Sequence, residues 1–303
     1  MYDFIGDIHG YADKLEALLK KMGYSLKNGA YAHPERKVLF VGDYIDRGAQ
    51  IKETLRIVRS MVDNGNAIAI MGNHEYNAIC FHFPETNAGH LRKHSIQNIL
   101  QHIETLKQYQ NMQSDYNEAI DWFKTLPLFY ETTEFRAVHA CWDQNHINLI
   151  KGKLTNDRLT DELIYEAAIK NTQFHIAIEE TLKGKEIKMP DGLHFIDKGG
   201  EYRTEMRIKW WEDPYRTNYR AFSVEPLHHL PETPVDVSLI RNPGFYGENE
   251  PPVFFGHYWL KGNPTLYKNN ICCIDYSVAK EGYLTAYRFD GEKVLDNAKL
   301  VYV

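Results

Sequence analysis

The chain is poor in several features that would have fixed its class at once. Its 303 residues hold four cysteines, Cys80, Cys141 and the adjacent pair Cys272-Cys273. With no CxxC spacing and no dense framework, a disulfide-stapled scaffold is excluded, and the thiols read as reduced and mostly buried, as in a cytoplasmic protein. No apolar run is long enough to span a bilayer. Met1 leads almost directly into Asp3-Phe4-Ile5, with no charged segment and apolar stretch ahead of it, so neither secretion nor membrane insertion is expected. A basic excess is also missing. Lys and Arg number 35 against 41 Asp and Glu, a net charge of −6, which argues against broad binding to nucleic acid or to an acidic membrane. Internal repeats and low-complexity tracts are absent. An anionic substrate would have to be drawn in by a local field.

The first quarter of the chain holds three short signatures: Gly6-Asp7-Ile8-His9-Gly10, Gly42-Asp43-Tyr44-Ile45-Asp46-Arg47-Gly48 and Gly72-Asn73-His74-Glu75. Each follows an apolar run that reads as a buried strand, which puts carboxylate, imidazole and amide groups on loops at strand ends. That is where an open α/β sheet carries its chemistry. Between the signatures, Leu15, Leu18, Leu19 and Met22 and then Ile51, Leu55, Val58 and Val62 follow helical spacing, closed by Gly23 and by Asn64-Gly65. Strands Tyr2 to Ile5, Lys37 to Val41 and Ala67 to Met71 alternate with those helices, and the alternation predicts an α/β fold with a parallel sheet.

Further along, residues 84–126 read as a wholly helical insertion, with Ile96, Ile99, Leu100 and Ile103 on one face and Pro127 as its stop. Arg136 to Ala140 reads as a strand that delivers His139. Residues 144–247 are expected to be a specificity region of one domain spanning 1–303: two charged helical segments, a Gly199-Gly200 break, Trp210-Trp211 and a run through Pro226, Pro231 and Pro234. Strands are expected again at Val253 to Phe255, Ile271 to Asp275 and Tyr283 to Phe289. Asp290-Gly291 then reads as a hairpin turn into Lys293 to Leu295. The site would be completed from both ends of the chain.

Asp7 and His9 alternate with Ile8, so both can face one metal. Asp43 can bridge two metals through its two oxygens, Asn73 offers a neutral oxygen, and His139 and His257 would complete the second metal with imidazole nitrogens. Six ligands of mixed oxygen and nitrogen type suit two divalent ions of manganese, with iron or zinc as alternatives, better than magnesium or calcium. A water between two such cations loses a proton near pH 7 and becomes the expected nucleophile. His74 would meet the leaving group, Asp46 would orient it, and Arg47 would grip phosphoryl oxygens. Among the remaining histidines, His33, His82, His90, His94, His102 and His228-His229 read as surface groups. Trp210-Trp211 and Cys272-Cys273 read as core.

The pattern GDxHG, GDxxDRG and GNHE, followed by Val138-His139 and Gly256-His257, resembles the calcineurin-like metallophosphoesterases. The nearest branch is the phosphoprotein-phosphatase one, which includes bacterial Ser/Thr phosphatases and symmetrical diadenosine tetraphosphatases. Trp122 to Leu128 is similar to that family's leucine-proline stretch. The resemblance implies a four-layer fold, a two-sheet β-sandwich flanked by helices. It also implies Asp7, His9 and Asp43 at one metal, Asp43, Asn73, His139 and His257 at the other, and the His74–Asp46 dyad. A second phosphate-binding arginine is expected after Trp210-Trp211-Glu212-Asp213-Pro214, as Arg216 or Arg220. Two departures stand out: Ala140-Cys141-Trp142 after the first late histidine, and Tyr258-Trp259 after the second, two bulky aromatics expected near the metals.

The expectation is therefore hydrolysis of a phosphomonoester, on a phosphorylated protein or a small molecule. The alternative is symmetrical cleavage of a dinucleoside polyphosphate, and a more distant one is a phospho-ligand-binding protein without turnover. Nuclease action is disfavoured by the acidic balance and by the lack of a basic aromatic strip.

Overall fold

Parallel strands need a crossover, which an amphipathic helix supplies, and Tyr2–Ile5, Lys37–Phe40 and Ala67–Ala69 pair in parallel side by side. These coordinates are a computed structural model that describes residues 1–85, 89–196, 202–225 and 227–303. Tyr283–Phe289 pairs antiparallel with the far edge of Tyr2–Ile5, and Asp275–Tyr276 and Leu300–Tyr302 both pair with Tyr283–Phe289. A second sheet runs Ile271–Cys273, Val253–Phe255, Arg136–Val138, Phe129–Glu131, with Val253–Phe255 parallel to both of its neighbours.

Strand alternation divides the apolar side chains between two interfaces. Phe4, Leu39, Ala137, Phe254, Cys272 and Tyr287 fill the space between the sheets. Phe4 and Phe254 stack there with ring centroids 3.6 Å apart. Their neighbours Ile5, Phe40, Val138, Phe255 and Cys273 turn outward to the helices. Helix α1 (Ala12–Lys21) buries Leu15, Leu18 and Leu19, and α2 (Ile51–Asp63) buries Ile51, Leu55 and Val58, the stripes their spacing predicts. One buried charge interrupts the outward face. Asp3 is fully buried and accepts from Arg36 Nε at 2.9 Å, Arg288 Nε at 3.3 Å and the Tyr24 hydroxyl at 2.8 Å.

The insertion at 84–126 is not wholly helical. After α3 (Asn73–His82), short strands Pro84–Glu85 and Gly89–His90 pair, and then α4 (Ile96–Gln108) and α5 (Gln113–Lys124) follow. The apolar stripe of α4 is only half covered, with Ile99 and Ile103 partly buried. Ile96 is 79% and Leu100 61% exposed, while His102 and Thr105 are the buried residues, because the inward side of α4 meets the polar second signature loop.

Residues 144–247 begin with three helices, α6 (Gln144–Lys151), α7 (Asp161–Ala167) and α8 (Gln173–Lys183), rather than two. A satellite core of Ile187, Met206, Ile208, Tyr219, Phe222 and Leu230 follows. The Gly199-Gly200 break and Pro226 lie outside the described residues. Lys293 to Leu295 forms no strand, because Glu292 and Asp296 tie that stretch to the Tyr287 hydroxyl. The returning strand is Leu300–Tyr302. Among the described residues no helix is long and apolar enough to cross a membrane.

Candidate active site

The first two signature loops are zipped together by their backbones. Ile8 and His9 N–H both donate to the Asp43 carbonyl at 3.0 and 2.8 Å, Gly10 N–H to Tyr44 O at 2.9 Å and Gly48 N–H to His9 O at 2.8 Å. Glu75 ties in the third signature: its carboxylate accepts from the backbone N–H of Gly72, Asp43 and Tyr44 at 2.8 to 3.0 Å. Burial and the Asp43 charge push the Glu75 carboxyl up to about 7. The approach leaves no space for a side chain at Gly72, where a Cβ would stand 2.3 Å from the Asp43 nitrogen and Oδ1. At Gly256 a Cβ would stand 1.9 Å from Asp7 Oδ1. His9, Asp43, Asp46, Arg47, His257 and Trp259 all have positive φ, and such concentrated strain belongs to functional loops.

Six candidate ligands come together on these loops and on the late strands. Asp43 Oδ2 lies 3.6 Å from His9 Nε2, and Asp43 Oδ1 lies 3.4 Å from His139 Nε2. Asn73 Oδ1 lies 3.0 Å from His139 Nε2 and 2.7 Å from His257 Nδ1. Asp7 Oδ2 accepts the His257 backbone N–H at 3.0 Å. Two groups therefore share Asp43: His9, Asp43 and His74, and Asp43, His139 and His257, all of them buried.

The chemistry of this donor set fits cations. His9 Nδ1 faces the Ile45 carbonyl at 3.0 Å and His139 Nδ1 the Val41 carbonyl at 2.7 Å. A carbonyl only accepts, so each ring carries its proton on Nδ1 and aims Nε2 inward, as a metal-ligating histidine does. Burial and the neighbouring His74 lower His9 to about 4, which keeps it neutral, and its Nε2 is buried without a hydrogen-bond partner. Asp7 Oδ1 and His257 Nε2 are buried without partners as well. Burial, Asp275 and Asp43 push the Asp7 carboxyl well up. A cluster of inward lone pairs and crowded carboxylates is costly in a dry interior and is relieved by positive charge.

His74 stands beside this cluster with Nδ1 on Asp46 Oδ2 at 2.5 Å and Nε2 3.9 Å from Asp43 Oδ2. Burial opposes its protonation, yet the Asp43 charge and the Asp46 hydrogen bond raise it above the ordinary imidazole value. Burial likewise works against the Asp46 charge, and His102 and His74 outweigh it and hold that carboxyl far below its usual range. His102 is thus a buried partner of Asp46, at 2.7 Å, and not the surface group its helical context suggests. The inward spacing of His102, Thr105 and Gln108 along α4 was the available signal, because Gln108 Oε1 also accepts the Ile51 N–H at 2.8 Å.

Arg47 is exposed, with Cζ 5.6 Å from the Trp259 ring. That ring also lies 5.2 Å from His9 and 4.0 Å from Lys280 Nζ, so Trp259 borders the cluster. Tyr258 does not. It is 4% exposed and packs against Trp211 and Phe255 in the core. Trp210 and Trp211 are core residues too, with Trp210 Nε1 donating to the Ala140 carbonyl at 3.0 Å. The two candidates for the second arginine both stand exposed. Arg216 has an 86% exposed side chain 3.5 Å from Asp213, and Arg220 pairs with Glu232 at 2.6 Å. Burial first, and then the charge of Arg207, holds His257 below the usual imidazole range, and Arg207 itself lies 3.5 Å from Glu186 and 3.9 Å from Glu225. A third group, Asp143, His146 and Glu180, already contains its own cation, because Lys185 Nζ sits 2.5 Å from Asp143 Oδ2.

Known proteins bear on this geometry. A bis(5′-nucleosyl)-tetraphosphatase (asymmetrical) of Halalkalibacterium halodurans is 46% identical over 74 residues, 24% of this chain and 30% of that one. A symmetrical bis(5′-nucleosyl)-tetraphosphatase of a Marinomonas species is 29% identical over 169 residues, 54% of this chain and 53% of that one. The chain thus spans between about a third and a half of the length of these relatives. A Saccharomyces cerevisiae serine/threonine phosphatase structure aligns over 100% of this chain and 78% of its own, at 13% identity and a TM-score of 0.48. The sequence model of the calcineurin-like phosphoesterases matches residues 2–258, a stretch that runs from the first strand through the last of the clustered histidines. By that match the chain belongs to the calcineurin-like phosphoesterase family.

Proposed function

We propose that the protein is a dinuclear metal-dependent phosphohydrolase, with Asp7, His9 and Asp43 at one divalent cation and Asp43, Asn73, His139 and His257 at the other. The observation that carries this reading is the position of Asp43, whose two oxygens face His9 at 3.6 Å and His139 at 3.4 Å from inside a buried cluster. Two cations bound there would lower the pKa of a bound water to about 7 and neutralise phosphoryl charge. Manganese is the preferred pair, with iron or zinc next, on the mixed oxygen and nitrogen donors.

In this reading the chain's own groups bind, orient and move a proton. Arg47 grips the phosphoryl oxygens with its planar fork. Arg216 or Arg220 supplies the second clamp, and the Arg216 side chain is 86% exposed. His74, held through Nδ1 by Asp46, passes the proton on Nε2 to the leaving oxygen. The 84–126 insertion and the 144–247 region belong to one catalytic unit built on the two-sheet frame. A cytoplasmic setting fits four free, buried cysteines.

The substrate reading is a phosphomonoester, of a protein or a small molecule. A second reading, a dinucleoside polyphosphate, is favoured by one specific observation: the Trp259 ring, 4.0 Å from Lys280 Nζ and 5.6 Å from Arg47 Cζ, sets an aromatic group beside cations at the rim of the cluster. The names of the two tetraphosphatase relatives point the same way. Manganese-loaded protein should be assayed for product on aryl phosphate, phosphopeptides and diadenosine tetraphosphate, with Asp43→Asn as the blank. Orthophosphate from the monoesters supports the first reading. Nucleotide products from the dinucleotide alone support the second. No product above the blank from protein holding two metals would overturn both in favour of a ligand-binding role.

A further inference from the structure

Asp46 is held from two sides. Its Oδ2 faces His74 Nδ1 at 2.5 Å, and its Oδ1 faces His102 Nδ1 at 2.7 Å and the Thr105 hydroxyl at 2.5 Å. Thr105 Oγ1 in turn accepts the Asp46 backbone N–H at 3.1 Å. On the far side of the ring, His102 Nε2 meets the Tyr116 hydroxyl. Asp46, His102, Thr105 and Tyr116 are all buried.

The hydrogens of this chain have one consistent direction. An ionised carboxylate only accepts, so both imidazoles present Nδ1–H to Asp46. That leaves a lone pair on His102 Nε2, and the Tyr116 O–H donates to it. Without His102 and Thr105, Asp46 could turn either oxygen, or both, toward His74 or away from it. With Oδ1 taken by two donors, only Oδ2 remains for His74, in one orientation.

We propose that His102 is a positioning residue for His74. It fixes the Asp46 carboxylate, and through it the His74 ring, with Nδ1–H on Asp46 and Nε2 toward the metal cluster. This rests on the reading of His74 as the acid that protonates the leaving oxygen. No proton is exchanged by His102 in this role, since it keeps its Nδ1 hydrogen throughout. The role also accounts for α4, which turns His102 and Thr105 inward while Ile96 and Leu100 stay exposed. That helix contributes placed polar groups to the site and little of its own apolar stripe to the core.

The test compares wild type, His102→Leu, His102→Asn and Thr105→Val. An asparagine amide can stand where Nδ1 stood and still donate, whereas leucine cannot; Thr105→Val removes the other donor without altering either ring. In zinc-loaded protein labelled with ¹⁵N at histidine, long-range correlations read the tautomer of each ring. The wild type and His102→Asn, read at a pH where Nε2 has lost its proton, should show His74 as one Nδ1–H tautomer. His102→Leu should show a mixture, and Thr105→Val a smaller shift the same way. In manganese-loaded protein with a series of aryl phosphates, His102→Leu should lose about tenfold in kcat on the poorest leaving group and less than about twofold on the best, a fraction of what a general acid supplies. His102→Asn should recover most of that loss. An unchanged His74 tautomer in His102→Leu, or an equal loss across the series, would overturn the proposal. A wild type silent on every ester whose His74 tautomer still depends on His102 would sink the hydrolase reading and leave the positioning role standing.

Discussion

The Asp275 carboxylate accepts the backbone N–H of Trp259 at 2.6 Å, and with its other oxygen that of Ser277 at 3.0 Å. Trp259 stands at φ +53 and Ser277 at φ +59, a region most side chains avoid. One buried carboxylate thus clamps two left-handed turns and sets the indole beside His9. Asp275→Asn places an amide N–H against a backbone N–H. Its expected cost is about 1–3 kcal/mol, read by urea unfolding. Coincident unfolding curves would show that the turns hold without the charge.

Asp43→Asn weakens the one side chain shared by both halves of the cluster. Metal content measured by mass spectrometry after reconstitution should fall below two equivalents per chain. A variant that still retains two would show that Asp43 does not bridge.

His74→Ala should leave metal content as in the wild type and lower kcat most for esters with poor leaving groups, by about 10²-fold or more. A loss of the same size for good and poor leaving groups would assign His74 to binding and not to proton delivery.

Asp3→Ala removes the acceptor shared by Arg36, Arg288 and Tyr24 at a site with no solvent exposure. Stripping a partner from a buried ion pair costs about 3 kcal/mol. Calorimetry should show a clear fall in Tm with metal binding retained. A fall of under a degree would mean that Asp290, 2.5 Å from Arg36 Nη1, replaces the lost charge.

Burial pushes the Glu180 carboxyl up to about 7, from an ordinary value of 4.5. Between those values the folded chain keeps a proton that the unfolded chain releases, so stability falls as pH rises through the window. Below about 4.5 the contribution is fully present. Glu180→Gln removes this slope, and the wild type should lose on the order of 2 kcal/mol more than the variant between pH 5 and pH 8. Parallel stability curves for the two proteins would refute the shift.

The three signature loops were readable because each ends an apolar run, and a strand end is where exposed polar loops must gather. The histidines at 139 and 257 were readable for the same reason. The inward face of α4 was not. Spacing assigns an apolar stripe to the core, and here the stripe of Ile96 and Leu100 faces solvent because the helix packs on a polar loop. His102 was therefore read as a surface group. The strand at Leu300–Tyr302 was missed because Asp290-Gly291 is a local turn signal, and the tyrosine hydroxyl that keeps the next residues out of the sheet is a tertiary contact.

Asp7 and His257 are joined by a hydrogen bond across 250 positions of sequence. A chain made from its amino terminus can shape the first three loops while most of it is still unmade. It cannot close the cluster until Val253–Phe255 has found its place in the second sheet and brought His257 with it. Any truncated product that stops short of that strand keeps Asp7, Asp43 and Asn73 but lacks the final imidazole. If these residues hold the cations as proposed, molecules clipped before that strand should be weak in cation affinity.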